Sequence, residues 1–132
     1  MKATVSTKTV APILLIEDEL SVIAFLRAAL QRKGYEVVHA TSGSEGLERL
    51  SGGTFGGVIS DIRMPGAVNG ADVHAWIQAH RPELRERIIL ISGDTANSET
   101  QALLAQSGTP CIEKPFRVQQ LISIVEKTFG KP

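Results

Sequence analysis

The chain has 132 residues, and Lys plus Arg equals Asp plus Glu at 14 each, so its formal net charge is zero. That length suits one domain with its own apolar core and leaves little room for a second. The charge balance speaks against a general nucleic-acid binder, and the single cysteine, Cys111, excludes an internal disulfide and a Cys/His zinc site.

The first eleven residues, Met1 to Ala11, are polar and threonine-rich and lack the apolar stretch of a signal peptide. A flexible N-terminal segment over 1–11 is expected, followed by one domain over 12–130. The apolar runs are strand-sized, so no membrane span is expected and a soluble cytoplasmic protein is the default. Ile13-Leu14-Leu15-Ile16 is a continuous apolar run ending in Glu17-Asp18-Glu19, the pattern of a strand buried on both faces. From Leu20 to Lys33, Val22, Leu26, Ala29 and Leu30 recur at helical spacing, and Gly34 supplies a left-handed stop. Tyr35 to His39 reads as a second strand. Ser42 to Glu45 matches the Ser-x-x-Glu capping box, so a second helix is expected through Leu50.

Gly52, Gly53, Gly56 and Gly57 lead into a third strand, Val58-Ile59-Ser60. A phosphate-loop reading of these glycines fails: no Lys-Ser/Thr follows, and the stretch opens a strand and not a helix. A third helix is expected from about Ala71 to His80, stopping before Pro82. Ile88 to Ile91 is a fourth strand, closed by Ser92-Gly93-Asp94. Asn97 or Ser98 caps a fourth helix through about Gln106. Cys111-Ile112 is a short fifth strand, and Val118, Leu121, Ile122, Val125 and Phe129 mark the apolar face of a last helix.

Five strand–helix units in series predict a doubly wound α/β fold with a parallel sheet and helices on both faces. Such sheets bind ligands beyond the carboxyl ends of their strands. That rule selects Glu17 and Asp18 after the first strand, Asp61 after the third, Ser92 after the fourth, and Glu113-Lys114 after the fifth. Three clustered carboxylates repel each other unless a cation sits among them. All-oxygen ligation without His or Cys points to a hard cation, with Mg2+ the usual choice beside phosphates. A carboxylate can also attack phosphorus to give an aspartyl phosphate, whose phosphoryl oxygens then need partners. Magnesium, Lys114 and the Ser92 hydroxyl can each take one.

The segments Leu15-Ile16-Glu17-Asp18-Glu19, Ser60-Asp61-Ile62-Arg63-Met64-Pro65-Gly66, Leu90-Ile91-Ser92-Gly93-Asp94 and Glu113-Lys114-Pro115-Phe116 together resemble the signature segments of response-regulator receiver domains. The resemblance covers about Pro12 to Phe129. It implies a flavodoxin-like fold with strand order 2-1-3-4-5. It implies that Asp61 accepts phosphate from a histidine kinase or a histidine phosphotransfer protein. Asp18 and the backbone carbonyl of Arg63 would ligate Mg2+ with Asp61, Glu17 would act mainly through water, and Ser92 and Lys114 would bind phosphate oxygens. Met64, Asp94 and Pro115 would flank the site, and Lys114-Pro115 would be a cis peptide. Phosphorylation would switch the face built from the fourth helix, fifth strand and fifth helix, through which a homodimer could form. The kinase-facing surface would include the first helix, with no direct contact to nucleic acid or membrane.

Two departures from the family pattern stand out. Cys111 occupies the position of the aromatic residue that swings inward on switching. Gly70 lies nine positions after Asp61, one more than the common spacing, so an extra residue within Gly66-Ala67-Val68-Asn69 should reshape the mouth of the site. Arg63 and Asp94, opposite in charge on two flanking loops, are expected to pair across that mouth. Cys111 itself reads as a small buried hydrophobe, and His39, His74 and His80 as surface or satisfied histidines and not ligands.

The domain would catalyse only its own phosphorylation and dephosphorylation. A rival, an aspartyl-phosphate phosphohydrolase, needs a second Asp two residues after the nucleophile, where Arg63 stands. A phosphate-independent docking module would not need the acidic pair, Asp61, Ser92 and Lys114 together. The chain is expected to be a stand-alone regulator or the receiver part of a hybrid kinase or longer regulator.

Overall fold

The computed structural model describes residues 11–64 and 66–132, so the expected leader over 1–11 falls, but for Ala11, outside the described residues. The elements are β1 (Ile13–Ile16), α1 (Leu20–Arg32), β2 (Val37–Ala40), α2 (Gly43–Gly52), β3 (Gly57–Asp61), α3 (Gly70–His80), β4 (Ile88–Ser92), α4 (Ser98–Ser107), β5 (Cys111–Glu113) and α5 (Val118–Phe129). A 3₁₀ turn, Pro82–Leu84, joins α3 to β4. The five strands pair in parallel in the order β2-β1-β3-β4-β5, the doubly wound fold that the alternation of runs predicts.

Strand alternation divides the core into two layers. Ile13, Leu15, Ile59, Ile89, Ile91 and Ile112 point to one face, where α1 and α5 cover them with Ile23, Leu26, Leu30, Leu121, Ile122, Val125 and Phe129. Leu14, Ile16, Val58, Ile88 and Leu90 point to the other, against Leu50, Val73, Ile77 and Leu84. Both faces being covered is why the strands read as unbroken apolar runs. Each fully buried Leu or Ile contributes roughly 1.5–3 kcal/mol relative to exposure.

The boundaries differ from the sequence expectation where the backbone has other uses. Tyr35 closes α1 instead of opening β2. Its N–H donates to the Leu30 carbonyl at 3.1 Å and the Gly34 N–H to the Gln31 carbonyl at 3.0 Å, with Gly34 at φ 98°. This double bond satisfies carbonyls that the helix end would otherwise leave open. In α1 the buried position is Ile23, with Val22 half-buried beside it. Asn97, and not Ser98, caps α4, accepting from the Glu99 and Thr100 N–H groups. α3 begins at Gly70, capped by a reciprocal Asn69–Asp72 box.

The largest consequence for the site is that Asp61 and Ser92 are the last residues of their strands and do not follow them. Asp61 is in register with Ile91, and Ser92 with Glu113, so sheet pairing extends through both. Gly70 packs against this strand end: its N–H donates to the Ile62 carbonyl at 2.8 Å, and a Cβ there would lie 2.6 Å from the Ile62 Cα. Gly70→Ala is therefore expected to destabilise the fold by about 1–3 kcal/mol. Urea denaturation checks this; a variant with an unchanged midpoint would show that the approach is not tight.

Candidate functional site

The carboxyl ends of β1, β3 and β5 bring four of the sequence-selected residues together. Carboxylate oxygens of Glu17, Asp18 and Asp61 lie within 4.8 Å of one another. Register explains part of this. Leu15 pairs with Ile59 and Ile16 with Ser60, so one residue further along Glu17 comes level with Asp61. Both continue the phase of the Leu15–Ile59 face, and Lys114 lies two residues beyond Ile112 on that same face. The Lys114 ammonium stands 3.0 Å from Asp61 Oδ2 and 3.2 Å from Glu17 Oε1. Lys114-Pro115 is cis, as the resemblance implies.

Each carboxylate is held differently. Asp61 is 5% exposed, and its Oδ1 accepts from the Arg63 N–H at 3.3 Å. Glu17 is fully buried, and its Oε2 accepts from the N–H groups of Asp18 and Glu19, both at 3.1 Å. Glu17 Oε1 has no backbone donor and no well-formed hydrogen bond; its one charge partner is the Lys114 ammonium at 3.2 Å. A buried carboxylate oxygen without a donor is costly, and it faces the acidic cluster. Asp18 is exposed at the rim.

Burial pushes the Glu17 carboxyl up to about 7, with the Asp61 charge adding to the shift and the Glu19 N–H opposing it. Burial alone would lower the Lys114 ammonium, but its hydrogen bond to Asp61 and the charges of Asp61 and Glu17 raise it above the usual lysine range. Lys114 is thus permanently cationic, and it cannot neutralise three acids alone. The donor set is all oxygen, one donor is orphaned, and a net negative charge remains. Those three observations fit a hard divalent cation.

Ser92 ends β4, the strand between β3 and β5, but is turned to other work. It continues the phase of Leu90, on the opposite face from Asp61, and is 3% exposed. Its hydroxyl oxygen accepts from the Asp94 N–H at 3.0 Å. Asp94 is exposed, and among the described residues no ion pair joins it to Arg63, contrary to the expectation of a pair across the mouth. Arg63 instead lines a cleft of about 560 Å³ with Ile62, Met64, Asn69 and the first turn of α4. Val68, in the same loop, packs on α2, where a Cβ on Gly43 would lie 2.8 Å from Val68 Cγ1. This anchors the loop towards α2, away from Asp94. Met64 is buried in the second core layer, and Pro115 is exposed.

Cys111 is half-buried against the α2–α4 layer, and burial raises its thiol, with Glu113 and Asp61 adding to the shift. The histidines form no ligand cluster. His39 contacts Arg27, His74 contacts Thr109, and His80 contacts the Trp76 carbonyl. Two contacts escaped the sequence reading. Glu19 Oε1 lies 3.4 Å from the Lys114 ammonium, and the Thr95 hydroxyl donates to Glu113 Oε2 at 2.6 Å. Neither pair has a sequence signal, since the partners are far apart along the chain.

The chain matches the family model described as the response regulator receiver domain over residues 13–126. It is 31% identical over 115 residues to the response regulator receiver protein CpdR of Brucella abortus, covering 87% of this chain and 93% of that one. It is 32% identical over 123 residues to the sensor kinase CckA of the same organism, covering 92% of this chain but 13% of that protein. Among solved structures it resembles the response regulator TrrA of Thermotoga maritima, in complex with Mg2+ and beryllofluoride. The TM-score is 0.76 at 30% identity, covering 89% of this chain and 98% of that one.

The Glu17 shift sets a pH dependence. Glu17 holds its proton to about pH 7 in the fold, against a normal value of 4.5. Between these values the native state binds more protons than the unfolded chain. The Glu17 contribution to the stability of the metal-free protein should therefore fall as pH rises from about 4.5 to about 7, while buried His74, lowered from its usual value, works the other way. Denaturation midpoints of wild type and Glu17→Gln across that window check it: the stability of wild type relative to Glu17→Gln should fall with rising pH, and a difference that rises or stays flat would contradict the assignment.

Proposed function

The chain belongs to the response regulator receiver domain family, and from that membership we propose that Asp61 is its phosphoacceptor in two-component signalling. The proposed unit spans residues 12–130. The donor is a phosphohistidine on a histidine kinase or histidine phosphotransfer protein. An Asp61 carboxylate oxygen attacks phosphorus, the phosphorus–imidazole nitrogen bond breaks, and the leaving nitrogen takes up a proton. The observation that carries this reading is the Lys114 ammonium 3.0 Å from Asp61 Oδ2 at the edge of an acidic triad.

Glu17, Asp18, Asp61 and the Arg63 carbonyl are the proposed holders of Mg2+. When bound, the ion supplies positive charge to the phosphoryl oxygens and to the acids around them. Lys114 is already placed to bind a phosphoryl oxygen. Ser92 would exchange its present orientation, in which Oγ accepts from the Asp94 N–H, for one in which its own O–H donates to a phosphoryl oxygen. That exchange is the proposed trigger of switching, a local charge event biasing a two-state loop.

With Cys111 in place of an aromatic, the loop needs another link to β5. The Thr95–Glu113 hydrogen bond supplies one, from the β4–α4 loop to the last residue of β5. It favours the unphosphorylated arrangement, so the α4–β5–α5 face and any homodimer built on it respond when it breaks. Docking of the donor is assigned to the α1 side. There Phe25, 41% exposed, borders a hollow of about 510 Å³ with Val22, Pro115 and Phe116. The protein would turn over no separate substrate. No helix of the described residues is long and apolar enough to cross a membrane.

The direct test is titration with beryllofluoride and Mg2+, a phosphoryl mimic. Binding should require both components and be lost in Asp61→Asn, and acetyl phosphate should label only Asp61. Binding that survives Asp61→Asn, or steady turnover of an added phosphomonoester, would defeat the proposal. Thr95→Val should tighten beryllofluoride binding about two- to fivefold, the size of one exposed hydrogen bond. Weaker binding would place the bond in the phosphorylated arrangement instead.

A further inference from the structure

We propose that Glu19 is a positioning residue for Lys114, a tether that pulls the ammonium towards the mouth of the site and opposes its capture by a phosphoryl group. The inference rests on Asp61 being the phosphoacceptor.

Glu19 stands at the N-cap of α1, with φ −82° and ψ 117°, yet its side chain makes no capping hydrogen bond. An acid at a helix start ordinarily serves the free N–H groups or the helix dipole from there. Here its Oε1 reaches to the Lys114 ammonium, 95 positions away in the chain and on the far side of the site. Lys114 therefore has three carboxylate partners, at 3.0 Å to Asp61, 3.2 Å to Glu17 and 3.4 Å to Glu19.

The three partners fare differently once Asp61 carries a phosphoryl group. The Asp61 contact passes to the phosphoryl oxygens, which is the productive direction. Glu17 is buried, anchored by two backbone N–H groups, and part of the acidic triad. Glu19 is 59% exposed and outside that triad, so its competition for the ammonium persists without any part in the acidic cluster. Its exposure limits the effect. An ion pair of this kind changes an equilibrium by about twofold to fivefold and weakens with salt.

Glu19→Gln and Glu19→Asp separate the tether from a helix-start role. Asp keeps the negative charge and is a preferred N-cap, but is one methylene shorter and loses reach. Beryllofluoride affinity at fixed Mg2+, measured calorimetrically, should rise about two- to fivefold in both variants, and the gain should shrink at high ionic strength. In the metal-free protein, both should move the Lys114 ammonium signal in 15N NMR. An unchanged or weaker affinity in Glu19→Gln, a Glu19→Asp variant that behaves as wild type, or an unmoved Lys114 signal would each overturn the tether. If wild type shows no Asp61-dependent beryllofluoride binding, the receiver reading fails separately, and the NMR arm still decides whether Glu19 holds Lys114.

Discussion

One ammonium, Lys114, stands within 3.4 Å of three carboxylates contributed by β1, the start of α1 and β3. Among the described residues no other Lys or Arg forms an ion pair with Glu17, Asp18, Glu19 or Asp61. The ends of three parallel strands therefore hold a charge imbalance that the fold alone does not cancel. The protein carries it at a cost, visible in a Glu17 carboxyl raised to about 7 by burial. Concentrating uncompensated charge on rigid strand ends is poor for stability and useful for binding a divalent cation and an anionic group together.

The rigidity comes from the two core layers. Asp61 and Ser92 close strands whose preceding residues are buried on both sides, and sheet pairing runs through both positions. Their backbones have little freedom, so the proposed switching would be carried by side-chain orientation and the loop beyond β4. Alternation places Asp61 and Ser92 on opposite phases of the sheet. In the proposed mechanism Asp61 and Ser92 thus begin on opposite phases, and a movement of the loop beyond β4 would bring the Ser92 hydroxyl to the phosphoryl group.

That loop is tied by polar contacts and not by packing. Asp94 N–H holds the Ser92 hydroxyl, and Thr95 holds Glu113. Cys111, half-buried and small, offers no swinging ring. Single hydrogen bonds contribute little net, so such a loop can be released by one new strong partner. The same logic applies to Glu19, whose exposed contact with Lys114 is weak enough to be displaced and close enough to matter.

The fold class was legible in the sequence, and so was the gathering of Glu17, Asp18, Asp61 and Lys114. Unbroken apolar runs separated by helical periodicity can be satisfied only by a sheet covered on both faces. The rule that ligands sit beyond strand ends selects Glu17, Asp18, Asp61, Ser92, Glu113 and Lys114, of which Ser92 and Glu113 turn to the β4–α4 loop instead. Strand ends such as Tyr35 were less legible, because a helix stop and a strand start compete for the same N–H. Tertiary structure alone decided the side-chain partners. Arg63 turned to the α4 cleft and not to Asp94, Ser92 turned to its own loop, Glu19 reached Lys114, and Thr95 reached Glu113. Periodicity encodes which face a residue is on, whereas these contacts depend on where loops from distant strands come to rest.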